Sequence, residues 1–395
     1  MLNRKIFQIA LIILALVGAF RFFYIPVKIQ VDKNNAFFVR VRILHDVNEL
    51  SISAEKRCNI YDRDSGDLLI RKASIEKHNE VFSESSAIRI GEMVFDSLGV
   101  RIVPSQRSEL DINGVFYRGS LEILKTEKGF DVINRVELED YLKGVLPCEV
   151  NCLWPFEMLK AQAVASRSFA VFECERRKNE NYDVTDDTFS QVYGGHGREK
   201  WRTTKAVEVT KNKVLGYRGR VFPAYFHACC GGHTQDIACL WGKHLKPLKG
   251  VRCPFCRWTP YFRWQAKISG EEISERLQKY GYPVNNITAI KAGKRDASDR
   301  IKYVSIKSHN QWFEIAGEGF RDIIGRKLLK SGNFNVKKYP FFYLFSGYGW
   351  GHGVGMCQWG GFSMALRRWK YERILKYYYP DTEIINMKEI LLVSQ

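Results

Sequence analysis

Five cysteines fall between Cys229 and Cys256, half of the ten in this 395-residue chain. Two form a Cys-x-x-Cys pair, Cys253-Pro254-Phe255-Cys256. The others lie in His227-Ala228-Cys229-Cys230-Gly231-Gly232-His233 and at Cys239. The fold around such a cluster must bring soft side chains to one point. The pair has the spacing of tetrahedral zinc sites, and the upstream Cys/His group can complete four ligands. Thiolates and imidazoles suit zinc better than hard cations. The expected ligands are Cys230, Cys239, Cys253 and Cys256, with His233 or His227 as a substitute, in a closed structural zinc site. One or two disulfides in an oxidising compartment are the alternative; an odd five would leave one thiol free or paired elsewhere.

The N-terminus bears on the compartment. Arg4 and Lys5 precede an apolar run from Ile6 to Phe20, broken only by Gln8. A bilayer span needs roughly 20 residues, so this run reads as an export signal or, if uncleaved, a membrane anchor over residues 1–30. A buried core helix is the alternative. The bulk of the chain is expected outside the cytoplasmic membrane, periplasmic or otherwise extracytoplasmic.

The remaining sequence predicts an α+β fold. Residues 36–135 read as an antiparallel sheet or small barrel, because short runs such as Phe38–Leu44, Val100–Val103 and Leu121–Leu124 alternate or cluster apolar residues between turn signals at Asp64-Ser65-Gly66 and Asn113-Gly114. A mixed region follows over 136–390. Its clearest element is a helix over 156–178, starting after Trp154-Pro155, with a narrow face of small apolar residues. A last helix is expected over Gly361–Tyr379.

Three further blocks can carry chemistry. Glu149 ends an apolar run before the long helix; a carboxyl beside apolar walls gains a raised pKa and can act as a general acid, whereas a surface glutamate would merely cap or pair. Ser190, Gln191 and Tyr193 lie in an Asp- and Gly-containing segment suited to a sugar-binding loop, or to an ordinary Asx-rich turn. Alternate glycines from Gly347 to Gly355 either let backbone approach a ligand or make a core turn. Within that block Trp350 could stack on a sugar, and His352 could contact substrate or assist Glu149.

Together these blocks resemble the SpoIID/LytB family, the stage II sporulation protein D domain. The resemblance is carried by Tyr117–Glu122, Val136–Tyr141, Leu159–Ser168, Ser190–Tyr193, Phe226-His227, Gly231-Gly232 and Gly349–Met356, in order over roughly residues 38–390. It implies a lytic transglycosylase acting on peptidoglycan glycan strands stripped of stem peptides, and makes 136–390 the catalytic part. Glu149 occupies the place of the family's catalytic glutamate, here within Cys148-Glu149-Val150-Asn151 rather than a Ser-Glu-Met-Pro-like motif, and Cys148 could pair with Cys152. His227, Trp350 and His352 fall at its substrate-facing motifs. The resemblance also implies a second role known for some members, that of a non-enzymatic enhancer of a cell-wall amidase.

Charge fits a polyanion. The chain carries a net +18, and residues 241–395 hold 27 basic against 12 acidic side chains. Nucleic acid is disfavoured by the export signal and the lack of a binding motif. A denuded glycan strand, with a free lactyl carboxylate on every muramic sugar, is a better partner.

Overall fold

A computed structural model describes residues 36–389 apart from 77–78, 84–86 and 310; the expected signal or anchor segment over 1–30 lies outside the described residues. Among the described residues no helix is long and apolar enough to cross a membrane.

The N-terminal strands are β1 (Phe38–Val47), β2 (Glu49–Ala54), β3 (Cys58–Asp62), β4 (Leu68–Ala73), β5 (Asn79–Ser83), β6 (Ile88–Ile90), β7 (Met93–Phe95), β8 (Gly99–Pro104), β9 (Leu110–Ile112), β10 (Val115–Tyr117), β11 (Ser120–Lys125) and β12 (Phe130–Glu137). With β13 (Val184–Thr185) they form two open sheets, ordered β13-β1-β12-β11-β8-β3-β4 and β10-β9-β2-β5-β6-β7. The expected β-rich region is therefore a pair of sheets and not a closed barrel. Strand β1 shows why: Val39, Val41 and Ile43 are buried, while the residues between them are partly exposed. It pairs antiparallel with β12, and the short β13 joins its other edge in parallel.

Two helices follow, α1 (Leu138–Glu149) and α2 (Phe156–Arg176). Pro155 precedes α2 at its N-cap, as its missing N–H permits. The helix departs from the expected narrow face: it is buried on nearly all sides. Leu159, Ala163 and Ala170 belong to the core under the sheets, and Met158, Ala161 and Ala165 to a second core. Small side chains let both layers approach. The buried polar residues on α2 are partnered. Fully buried Arg167 forms a bidentate pair with Glu139 at 2.9 and 2.7 Å and donates to the carbonyls of Val207 and Lys213.

Next come α3 (Trp201–Val209) and α4 (Ile237–Trp241). A unit over 263–348 has its own core, including Trp264, Leu277, Ile306, Phe320 and Phe345. It comprises two three-stranded sheets with helices α5 (Gly270–Lys279) and α6 (Gly317–Ile324). The chain then returns to the second core through α7 (Gln358–Leu366) and α8 (Tyr371–Tyr378). The expected single helix over 361–379 is thus two, separated at Arg368, whose φ of 62° no α-helix accommodates.

Candidate functional site

Glu149 is the last residue of α1, with Pro147 in the preceding turn. A helix C-terminus carries partial negative charge, and the carboxyl sits in low-dielectric surroundings. Burial raises its pKa to about 7 against two hydrogen-bonding contacts that lower it, from the Val192 N–H and the Gln358 side chain. The Val192 N–H donates to Oε1 at 2.9 Å. Gln358 Nε2 donates to the Glu149 carbonyl at 3.3 Å and lies 3.5 Å from Gln162 Oε1 on α2. Asp186, on the loop that contacts Glu149, has its pKa raised to about 6 chiefly by burial, and both carboxyls act on the Tyr141 hydroxyl. Cys148 and Cys152, on either side, are unpaired thiols.

The loop over 183–195 is fastened from beneath. Asp183 accepts from the Arg40 main chain and guanidinium. Ser190 Oγ accepts from the Thr185 N–H at 3.1 Å. Gln191 is fully buried: its Oε1 accepts from Tyr141 Oη, and its Nε2 has no partner among the described residues. Tyr193 is buried, donates to Asn134 and packs on Tyr141 and Tyr117. These side chains therefore set the position of the Val192 N–H at Glu149. At the loop's exposed tip, the Arg326 guanidinium lies 5.5 Å from the Phe189 ring centre, so the 263–348 unit reaches this side of the site.

The alternate glycines pack against the chain itself, Gly349, Gly351 and Gly355 against segment 225–231, Gly347 against Asn333 and Trp264, and Gly353 against Arg300, which favours the core-turn reading of that block. A Cβ on Gly355, at φ 74°, would lie 2.0 Å from the Tyr225 carbonyl oxygen; one on Gly349 would meet Cys229 O at 2.7 Å. His352 is held from both ring nitrogens, with Nε2 2.9 Å from Phe226 O and Nδ1 accepting from the Val354 N–H. Burial lowers its pKa to about 3. His227 is buried, its Nδ1 lies 3.1 Å from Val354 O, and burial holds its pKa well below the usual range. Both imidazoles are neutral supports of the glycine weave. Neither touches Glu149, and His352 has no ring nitrogen left for a substrate. Trp350 is partly exposed.

Cys230, Cys253, Cys256 and Cys357 are buried with all four Sγ atoms within 4.8 Å of one another. Cys230 and Cys256 are 3.5 Å apart, too far for a disulfide and close to the S–S edge of about 3.8 Å that four 2.3 Å zinc–sulfur bonds require. Main-chain N–H groups donate to these sulfurs: Gly232 to Cys230, and both Cys230 and Gly360 to Cys357. Tyr378 Oη lies 3.1 Å from Cys253 Sγ. Burial pushes the Cys230 and Cys357 thiols up, whereas hydrogen bonds from the surrounding thiols hold Cys256 low. The donors fit a tetrahedral soft cation. The set differs from the expected one. Cys239 is exposed on the short α4, and His233 turns its Nδ1 to Thr234 O; the fourth thiol is Cys357, a hundred residues beyond Cys256.

The family described as stage II sporulation protein matches residues 126–217, and a domain of unknown function (DUF8618) matches 256–355. The chain is 34% identical over 290 residues to an uncharacterised protein of Brachyspira hyodysenteriae, covering 73% of this chain and 77% of that one. It is 30% identical over 288 residues to the amidase enhancer of Bacillus subtilis, covering 62% of this chain and 40% of the relative. To the stage II sporulation protein D of the same organism it is 28% identical over 273 residues, covering 64% and 75%. The chain belongs to the stage II sporulation protein D family.

Within this family frame, the Lys160-Ala161-Gln162-Ala163 run reaches the candidate acid through Gln358, and the loop reaches it through a main-chain N–H. Sequence reading missed both contacts. Gln358 directly follows the glycine block, but nothing local marks it as facing α2. Cys357 lies in that same block, and its distance along the chain from the other thiols hid it.

Proposed function

We propose that this chain is a cell-wall protein that cleaves glycan strands stripped of stem peptides as a lytic transglycosylase. The observation that carries the reading is the Glu149 carboxyl, raised to a pKa of about 7 by burial at a helix C-terminus. Protonated Glu149 donates to the glycosidic oxygen between muramic and glucosamine sugars. As that bond breaks, the muramic C6 hydroxyl attacks its own C1 and the resulting carboxylate takes the hydroxyl proton. The product is a 1,6-anhydro sugar, and no water is consumed. Hydrolysis would need a second carboxylate about 5–9.5 Å away. Asp186, on the loop that contacts Glu149 and itself raised to about 6, is the candidate for that place, and reducing rather than anhydro ends on the products would assign that chemistry. The Val192 N–H supports the ionised form that exists during proton transfer. Zinc is proposed as a structural ion on Cys230, Cys253, Cys256 and Cys357, supplying cross-linking and no chemistry. The substrate's location agrees with the export expected from the N-terminal segment.

Mass spectrometry of products from denuded glycan tests the reading. Wild type should release anhydro-ended fragments, and Glu149→Gln should bind the strand without releasing them; release by that variant at the wild-type rate rejects the assignment. The relative named as an amidase enhancer supports a second reading, a glycan-binding partner of a cell-wall amidase. In that case Glu149→Gln stimulates the amidase as well as wild type does, and neither protein forms anhydro ends.

A further inference from the structure

Beside Glu149 begins a row of aromatic rings that the proposed chemistry does not use. Trp359 follows Gln358, whose side chain contacts Glu149. Trp154 and Tyr261 lie 4.9 and 5.6 Å from Trp359, and Trp350 lies 5.0 Å from Tyr261. Lys330 Nζ ends the row, 4.5 Å over the Trp350 ring. Trp258 flanks it, 6.3 Å from Trp359 and 57% exposed. Tyr261 and Trp258 are exposed while Trp154, Trp350 and Trp359 are partly buried against the second core, and exposed aromatic surface next to such rings is costly unless something covers it.

The rings identify the occupant. Successive planes along the row are turned by 58°, 34° and 55°. No single flat ligand can lie on more than one of them, whereas a chain of pyranose rings, free to rotate at each linkage, can place one apolar sugar face on each. The terminal ammonium of Lys330, within residues 241–395 that carry 27 basic and 12 acidic side chains, suits a chain bearing carboxylates.

The thiol group holds this row in line. Trp350 exchanges both main-chain hydrogen bonds with Cys229, the neighbour of Cys230. Trp258 lies two residues after Cys256, and Trp359 two residues after Cys357. Three chain segments that meet at the sulfurs therefore each deliver rings to one strip.

We propose that Trp154, Trp359, Tyr261 and Trp350 form a strip of sugar-stacking positions, aligned by the four-cysteine group, that takes a carboxylate-bearing hexosamine chain leading away from Glu149. The nature of that chain rests on the proposed function; the strip as a binding surface does not depend on Glu149 being the acid.

The test measures binding of full-length protein to denuded glycan strands and to N-acetylglucosamine pentamer, all in the Glu149→Gln background so that nothing turns over. Tyr261→Ala and Trp350→Ala should each weaken strand binding on the order of tenfold, with the pentamer affected in the same order and the melting temperature of Tyr261→Ala unchanged. Trp312→Ala removes an exposed ring outside the strip and should bind as the parent does. Unchanged strand binding by both strip variants, or an equal loss in Trp312→Ala, overturns the proposal. If wild type forms anhydro ends while the strip variants bind normally, the strip fails and the chemistry stands. If no anhydro ends form yet the strip variants lose binding, the chemistry fails and the strip stands. Metal removal supplies a further readout: a stripped but folded protein should lose strand binding, and full binding without metal overturns the aligning role.

Discussion

Val192 donates its main-chain N–H to Oε1 of Glu149 at 2.9 Å, yet burial still lifts that carboxyl to a pKa of about 7. The contact favours the ionised form and burial the neutral one, so the group is poised near the pH at which it would work. Cleavage of denuded glycan should therefore hold below about pH 7 and decline above it as the acid form is lost. A kcat/KM profile checks this; a plateau extending to pH 9 argues against Glu149 as the acid.

The same shift has a consequence for stability. The folded-state pKa lies above the ordinary value of 4.5, so the folded protein binds this proton more tightly than the unfolded chain. The associated stability is complete below about pH 4.5 and is lost as pH rises through about 7. Glu149→Gln removes the ionisable group while keeping an oxygen for the Val192 N–H. It should stabilise the protein at pH 8–9 by at most about 3 kcal/mol, the equivalent of the shift, and by much less at pH 4. Paired urea titrations at the two pH values measure the difference.

Arg167 and Glu139 make a second pair with a clear expected outcome. The guanidinium is fully buried and spends further donors on Val207 and Lys213 carbonyls, so it joins α2 to the end of α3 and to the first residue of the strand after it. Arg167→Ala leaves the Glu139 carboxylate without its partner and should cost about 3–5 kcal/mol. Adding Glu139→Gln should recover part of that loss. Denaturant unfolding of the single and double variants tests the coupling.

Strand alternation and breaker residues made the local elements legible where the local pattern decided the outcome. Val39, Val41 and Ile43 announce β1, and Pro155 announces α2. Failures arose where distant contacts decide. The burial of α2 on nearly all sides depends on two cores meeting it, which its small residues permit without specifying. His352 has the look of a site residue, but Phe226 O and the Val354 N–H occupy its ring, a pairing set by the glycine weave. The separate core over 263–348 rests on ordinary amphipathic strands that carry no boundary signal. The setting of Glu149, at the end of an apolar run before a long helix, was readable because both features are local.

The basic excess in 241–395 bears on glycan affinity. Exposed charges act through water and are screened over about 8 Å at physiological ionic strength. Raising salt from 0.05 to 0.5 M should weaken binding of denuded strands severalfold. Strands that retain stem peptides, where the lactyl carboxylate is an amide, should respond less. Equal salt responses for the two would assign this charge to another role.

Cys357 and Cys239 separate a metal site from a generic cysteine cluster. Cys239 lies within the dense group of cysteines but is exposed on α4; Cys357 is remote in sequence but buried among the other three sulfurs. If a soft cation joins the four thiols, protein purified without chelator should carry about one equivalent of zinc. Cys357→Ser should lose most of it and melt several degrees lower. Cys239→Ser should keep both metal and melting temperature. Oxidised protein with blocked thiols and no metal would mean disulfides instead, and would require the 3.5 Å Cys230–Cys256 separation to close. Of the two substitutions, Cys357→Ser also bears on glycan binding, because the chain runs from its sulfur into Gln358 beside Glu149 and Trp359 in the aromatic row. Metal loss should thus be accompanied by weaker strand binding in that variant and in no Cys239 variant.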